Sequence, residues 1–544
     1  MTPTRRAKFT PPTRGSAARE REVTFGVAGG FHGGVPSQGV PNGFSPAVRN
    51  FVPTGAGAIA PRSALTKVSS ALITGINAPV LGGAELVDRN GQFTALIAST
   101  RSLQWFNYGV SSWQSVFYAP GNQSWHSGPL SSVSTDYIEA VSIYAPTANS
   151  GVGQMYCVFS NQSDSLKYWQ ISATTTYSDF TWADSIDSTH NARSVCAIND
   201  RLVLFNTQPS AGAGKANTPT RVMWSARGNP LSFLVADGAG AEDLMEMHGE
   251  GQKAIRFRDF MLLFTEIEIW RATPTFDDYA FRFDRVVDGK GCPNPRTIVA
   301  TPDGVVFLGL DHEVYITDGV NVLPLGPIEG KGESRIQAHL RGELVTPHRA
   351  WAMYNRTLRR YELYYSISGS EQGYPTRAMF YDFATQTWWP QTFVNGLTFG
   401  LDMTEYTTPF VTATSANSFD PNYFDSFGTA FRLSSTLTND AGTAIDARWR
   451  SPGAKNATRK AHLKEVWIDA DADSASSASV WVGSARSGSV FTSEKEVRLT
   501  TANDPTFVPV FSTDNAPAFE IRIADGGRPR IASFSATLQD ASKF

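Results

Sequence analysis

The chain has 544 residues, of which 41% are hydrophobic, 12% aromatic and only 18% charged, against a charged share of about 25% in ordinary soluble domains. A formal net charge of −3 argues against a protein that grips nucleic acid by neutralising phosphates, because such proteins carry a basic face. Three cysteines, Cys157, Cys196 and Cys292, form no CxxC pair, so neither a disulfide framework nor a zinc site is supported and burial as small apolar residues is expected.

Aromatic side chains pack well on a pleated, half-buried surface, and the 46 Gly and 31 Pro punctuate the chain as many short strands and tight turns require. Long Leu/Ala/Glu/Lys stretches are scarce. The expected fold class is all-β. The start, Met1-Thr-Pro-Thr-Arg-Arg-Ala-Lys-Phe, lacks the apolar core of a signal peptide, and no apolar run approaches the ~20 residues of a membrane span. Synthesis and retention in the cytoplasm are expected.

Residues 1–50 stand apart. Arg5, Arg6, Lys8, Arg14, Arg19 and Arg21 face only Glu20 and Glu22, and the stretch from Gly26 to Gly43 is dense in Gly and Pro without periodicity. This predicts an extended arm, either a tail without a role or a basic arm that docks on an acidic neighbour, with Arg5, Arg6, Lys8 and Arg14 as docking candidates.

Residues 51–435 carry repeated strand and turn signals. Phe93-Thr-Ala-Leu-Ile-Ala-Ser, a polar turn, then Leu103-Gln-Trp-Phe-Asn-Tyr108 reads as a hairpin. A second follows at Asp259-Phe-Met-Leu-Leu-Phe264, a break at Thr265-Glu266, and Ile267-Glu-Ile-Trp-Arg271, with Ile267 and Ile269 placed on one face. Further copies lie at Gly304–Gly319 and Arg360–Tyr365. The segment Tyr381-Asp-x-x-Thr385-x-x-Trp388 reads as the outer hairpin of a propeller blade, where Asp and Thr close the turn and Trp fills the space between blades; 167–182 is a looser copy. A β-propeller of about six blades with insertions is expected. Near residue 436 the texture changes, and strands at short spacings over 436–544 predict a separate β-sandwich-like domain.

No G-x-S-x-G elbow, H-E-x-x-H helix or phosphate loop is present, and the eight histidines are scattered singly. Asp469-x-Asp471-x-Asp473 opens like a calcium loop but has Ser474 where the turn glycine belongs and Val480 where the bidentate Glu belongs. No catalytic residue, metal or cofactor is therefore assigned. The acidic group Glu242, Asp243, Glu246 and Glu250 is read either as an exposed loop or as a pore lining that repels phosphates so that DNA slides past.

Four landmarks in order, Gly43-Phe-Ser-Pro-Ala-Val-Arg-Asn50-Phe-Val-Pro with Arg62, Arg221-Val-Met-Trp-Ser-Ala-Arg-Gly-Asn-Pro-Leu-Ser-Phe233, Arg258–Trp270 and Gly291-Cys-Pro-Asn-Pro-Arg296, resemble those of phage tail hub proteins, also described as nozzle or packaged-DNA stabilisation proteins of short-tailed phages. The resemblance spans residues 40–400. It implies a virion structural protein, not an enzyme, assembled as a homohexamer below the portal and adaptor, retaining packaged double-stranded DNA, passing it during ejection and binding tail fibres or a needle. The competing class is a glycan-binding tail spike or adhesin, with residues 417–425 as its binding surface.

Overall fold

The computed structural model describes residues 20–540 apart from 33–38, 55–56, 68–78, 88–92, 100–102, 108–111, 119–122, 125–136, 147–152, 161–165, 172–175, 180–188, 210–217, 276–278, 327, 330–332, 335, 371–372, 406–417, 426–429, 435–438, 441, 454–460, 472–476, 485–492, 500–505, 515–516 and 524–527. Strand dominates. The described helices are one α-helix of about two turns, Gln337–Glu343, and short 3₁₀ turns.

Among the described residues seven four-stranded antiparallel units follow one another along the chain, the outermost strands of the first two pairing in parallel. Their first strands are Val80–Val87, Glu139–Ala145, Thr189–Ile198, Gly251–Phe257, Val299–Ala300, Trp351–Asn355 and Leu397–Glu405. Each of these touches the first strand of the next unit, and the seventh touches the first. A closed circuit of first strands, with each sheet running outward from it, is a β-propeller. The sequence predicts about six blades, and the described residues form seven. The seventh is hard to read locally because its outermost strand, Ala64–Lys67, precedes blade one and pairs antiparallel with Ala430–Ser434.

The local patterns explain the hairpins. In blade four Phe260–Thr265 returns as Glu268–Pro274. Thr265 Oγ1 accepts from the backbone N–H of Ile267 at 3.2 Å and of Glu268 at 2.8 Å. Ile267 therefore sits in the turn and is half exposed, whereas Ile269 is fully buried, so the two do not share a core face as the alternation predicted. In blade six Thr385 donates from its N–H to Asp382 Oδ1 at 2.8 Å, closing the turn. The buried Trp388 indole donates to Leu325 O at 3.1 Å, which ties blade six to the end of blade five as the motif requires.

A β-sandwich joins the two ends of the chain. One sheet holds Ala461–Asp471, Thr506–Asp514 and Arg530–Asp540 together with Glu20–Gly26, Phe51–Thr54 and Ala58–Pro61. The other holds Val48–Arg49 beside Ala447–Arg450, then Pro517–Ile523, Ser477–Ser484 and Ser493–Arg498. Aromatic rings meet between the sheets, with centroids 5.4 Å apart for Phe25 and Phe519 and 4.7 Å for Trp449 and Phe534. Two expectations are corrected here. Within the predicted arm Glu20–Gly26 and Val48–Arg49 are strands of the sandwich, and Phe51–Thr54 and Ala58–Pro61 belong to the sandwich rather than to the propeller. A free edge of an antiparallel sheet offers unpaired N–H and C=O groups, and Glu20–Gly26 satisfies those of Arg530–Asp540. Arg5, Arg6, Lys8 and Arg14 lie outside the described residues.

Where the chain passes from sandwich to propeller, Arg62 meets Asp440, which follows blade seven. Their side chains are 3% and 7% exposed. Arg62 Nη1 donates to Asp440 Oδ1 at 3.0 Å and Nη2 donates to Oδ2 and, at 2.7 Å, to Thr392 O. Asp440 Oδ1 also accepts from the Leu65 N–H at 2.9 Å, holding the strand that closes blade seven. Removing one partner of such a pair leaves a buried charge uncompensated. Arg62→Ala is expected to destabilise the protein by about 3–5 kcal/mol, read from the midpoint of denaturant unfolding. Adding Asp440→Leu should recover part of that loss; a single variant as stable as the parent would refute the clamp.

Candidate functional site

At the propeller axis the first strands enclose a cavity of about 370 Å³. Its walls carry charged groups that bridge blades. Glu139, buried on blade two, accepts from the Val195 N–H of blade three at 3.0 Å. Lys253 of blade four stands 3.9 Å from Glu139 and donates to Ile298 O at 3.1 Å. Burial pushes the Glu139 carboxyl above the usual carboxylate range, against the opposing pull of Lys253 and the hydrogen bonds it accepts. The Tyr137 hydroxyl is raised well above its ordinary value, first by burial and then by the adjacent Glu139 charge.

On the other side, Arg356 follows the first strand of blade six. It donates to Asp402 of blade seven at 2.7 Å and to Glu85 of blade one at 2.9 Å. Burial raises the Asp402 carboxyl, with Arg356 pulling the other way. Its second oxygen, Oδ1, is buried without a hydrogen-bond partner. The Gly291–Arg296 landmark supplies the remaining tie. Asn294 accepts from the Arg296 N–H at 3.0 Å and donates to Pro347 O at 2.6 Å and Ala350 O at 2.7 Å, while Arg296 donates to Thr398 O across the axis. Gly291 is obligatory because a Cβ there would lie 2.2 Å from the Ile267 nitrogen and 2.3 Å from the Glu266 carbonyl carbon. A space of this size accepts a small molecule or water, and the crossing side chains close it to a duplex.

The four acidic residues singled out in the sequence do not line this axis. Glu242 and Asp243 lie on Gly240–Asp243, the outermost strand of blade three. Glu246 is in the segment that leads to blade four, and Glu250 directly precedes the first strand of that blade. Asp243 forms a two-pronged pair with Arg221 at 2.5 and 2.8 Å, which holds its carboxyl below the usual range. Arg193 approaches Glu250 at 3.4 Å. Glu242, Glu246 and Glu250 are exposed. The lumen reading therefore fails for the propeller's own axis, and three of the four acids face solvent, with Glu242 at the rim of blade three.

The other candidates resolve as follows. Ser418–Asp425, offered as a glycan-binding loop, is the second strand of blade seven and pairs on both sides with Leu397–Glu405 and Ala430–Ser434; residue 417 lies outside the described residues. Asp469 and Asp471 lie within the strand Ala461–Asp471 rather than in a calcium loop, and Asp473 lies outside the described residues. Cys157, Cys196 and Cys292 are free and buried. Burial pushes Cys196 up to about 12 and Cys292 up to about 11, with Cys157 raised further still. Among the described residues no cluster of three His, Cys, Asp or Glu is arranged to hold a metal, and no helix is long and apolar enough to cross a membrane.

No family model matches the sequence, and no curated protein matches it. Solved structures with some likeness of backbone include BBS1N in complex with ARL6DN, at 8% identity over 69% of this chain and 99% of that one with a TM-score of 0.37. BamB from Moraxella catarrhalis matches at 8% identity over 70% and 92%, TM-score 0.35. An exo-β-1,3-galactanase from Phanerochaete chrysosporium matches at 9% identity over 77% and 98%, TM-score 0.28. At such scores the likeness carries no weight for function, and the propeller assignment stands on the closed circuit of first strands.

The raised carboxyl of Glu139 has a defined pH signature. A group whose folded pKa lies above its unfolded value contributes stability below the ordinary carboxylate range and loses it as pH rises through the folded value. Glu139→Gln should therefore match the parent at pH 4 and gain on it between there and neutrality, measured as denaturant midpoints across that range. A parallel pair of curves would refute the assignment of the burial cost to Glu139.

Proposed function

We propose that this chain is a structural subunit of a phage tail that acts without catalysis, assembling into a cyclic ring below the portal and adaptor, retaining packaged DNA and passing it during ejection. The observation that carries this reading is the double closure of the scaffold. A strand from ahead of blade one completes blade seven, and strands from both ends of the chain share one sandwich. Such a body resists being pulled open from either end, which suits a part that bears the load of confined DNA.

The braced axis excludes the propeller's own centre as the DNA path, so the path in this reading runs between copies. Heterologous contacts that close by rotation give cyclic symmetry and a central pore. The exposed acids Glu242, Glu246 and Glu250 are then available to face that lumen and repel phosphates. The order of the four sequence landmarks favours six copies, attachment to tail fibres or a needle, and a place in the virion.

Sedimentation and electron microscopy of the purified protein test the proposal. Six-fold rings with a pore wide enough for a duplex are expected. A chain that stays monomeric at micromolar concentration and shows no axial density in tailed particles would overturn it.

A further inference from the structure

A second cavity, of about 240 Å³, lies at the seam between the sandwich and blade six. Four arginines line it: Arg49, Arg448 and Arg450 from one sandwich sheet and Arg377 from the third strand of blade six. The carboxylates nearby are already engaged. Glu520 holds Arg450 at 2.8 Å and Arg522 at 2.7 Å, and Asp446 holds Arg448. Glu343 approaches His339 at 3.4 Å and accepts from the Tyr365 hydroxyl at 3.1 Å.

Arg49 and Arg377 are left with no carboxylate within ion-pair distance among the described residues. Both are only part-exposed. Burial and then the like charges of Arg377 and Arg448 hold Arg49 below its ordinary basicity, against the smaller opposing pull of Asp446 and Glu343. His339, on the same wall, is lowered by burial and by the charges of Arg49 and Arg377, against Glu343. Confining like charges costs free energy in a poorly solvated seam. Two guanidiniums that line one cavity, neither of them in an ion pair, call for a doubly charged oxyanion, because a planar guanidinium fork matches phosphate oxygens.

We infer that this cleft binds a phosphate dianion, as the free ion or as a monoester, between Arg49 and Arg377. A single carboxylate would answer only one of the two charges, and phosphate carries about −1.5 to −2 at pH 7. The cavity exceeds the phosphate group itself, leaving room for the carbon skeleton of a small ester.

Thermal unfolding and titration calorimetry at fixed ionic strength test this with inorganic phosphate, glycerol phosphate, acetate and chloride on the full chain. Phosphate should raise the unfolding temperature saturably, while acetate and chloride should not; tighter binding of glycerol phosphate than of the free ion would identify the ester as the natural form. Arg49→Gln and Arg377→Gln should each weaken phosphate binding by at least about tenfold, which is about 1.4 kcal/mol, yet unfold no earlier than the parent in chloride because a repulsion is removed. The His339 ring should titrate at higher pH when phosphate is bound, a shift that a purely structural role for the arginines would not produce. Equal effects of acetate and phosphate on the unmutated protein, or unchanged phosphate binding in both variants, would overturn the assignment.

Discussion

Arg62 stands where the chain leaves the sandwich for the propeller, and Asp440 stands where it comes back, so one buried ion pair fixes both crossings. The guanidinium also lies 4.3 Å from the centre of the Phe393 ring and donates to Thr392 O, which anchors the pair to the outer strand of blade six. Asn50 reinforces the same point, accepting from the Thr392 N–H at 2.7 Å and donating to Asp446 O at 2.9 Å. A bidentate pair in a dry seam tolerates little displacement. The registers of the closing strand, of the sandwich and of blade six are therefore set together.

The axis shows the same device on a smaller scale. Charged side chains reach from one blade to the next, and each leaves its neighbour satisfied apart from Asp402 Oδ1. Apolar side chains such as the buried Trp388 and Trp389 of blade six fill the space in and between blades, but apolar packing is not directional. Hydrogen-bonded charges in a low-dielectric interior are directional and costly to break. They keep seven similar sheets in one angular arrangement, and in doing so they close the centre to anything larger than a small molecule.

Much of the fold was legible from short-range pattern. The strands at 93–99, 103–107, 260–265 and 360–365 lie where alternation and turn residues put them, since period-2 patterning and turn chemistry act over a few residues. The blade-six hairpin was legible in more detail, because Asp382, Thr385 and Trp388 act on each other and on the next blade through fixed sequence offsets. The sites were less legible. The acidic group was visible as composition, but its position on the outer strand of blade three depends on which strand faces the axis. Arg49 lies inside the first landmark, but nothing in the sequence links it to Arg377, 328 positions away.

By itself the sequence determined the strand content and the turns, because these depend on side-chain volume, branching and the φ preferences of neighbouring residues. Tertiary structure alone decided the number of blades formed by the described residues, the use of Glu20–Gly26, Phe51–Thr54 and Ala58–Pro61 in one sheet with the far end of the chain, and the pairing of Arg62 with Asp440. Those outcomes rest on contacts between segments hundreds of residues apart, where the free energy gained by satisfying a sheet edge or a buried charge is set by what happens to lie opposite, and no local pattern carries that information.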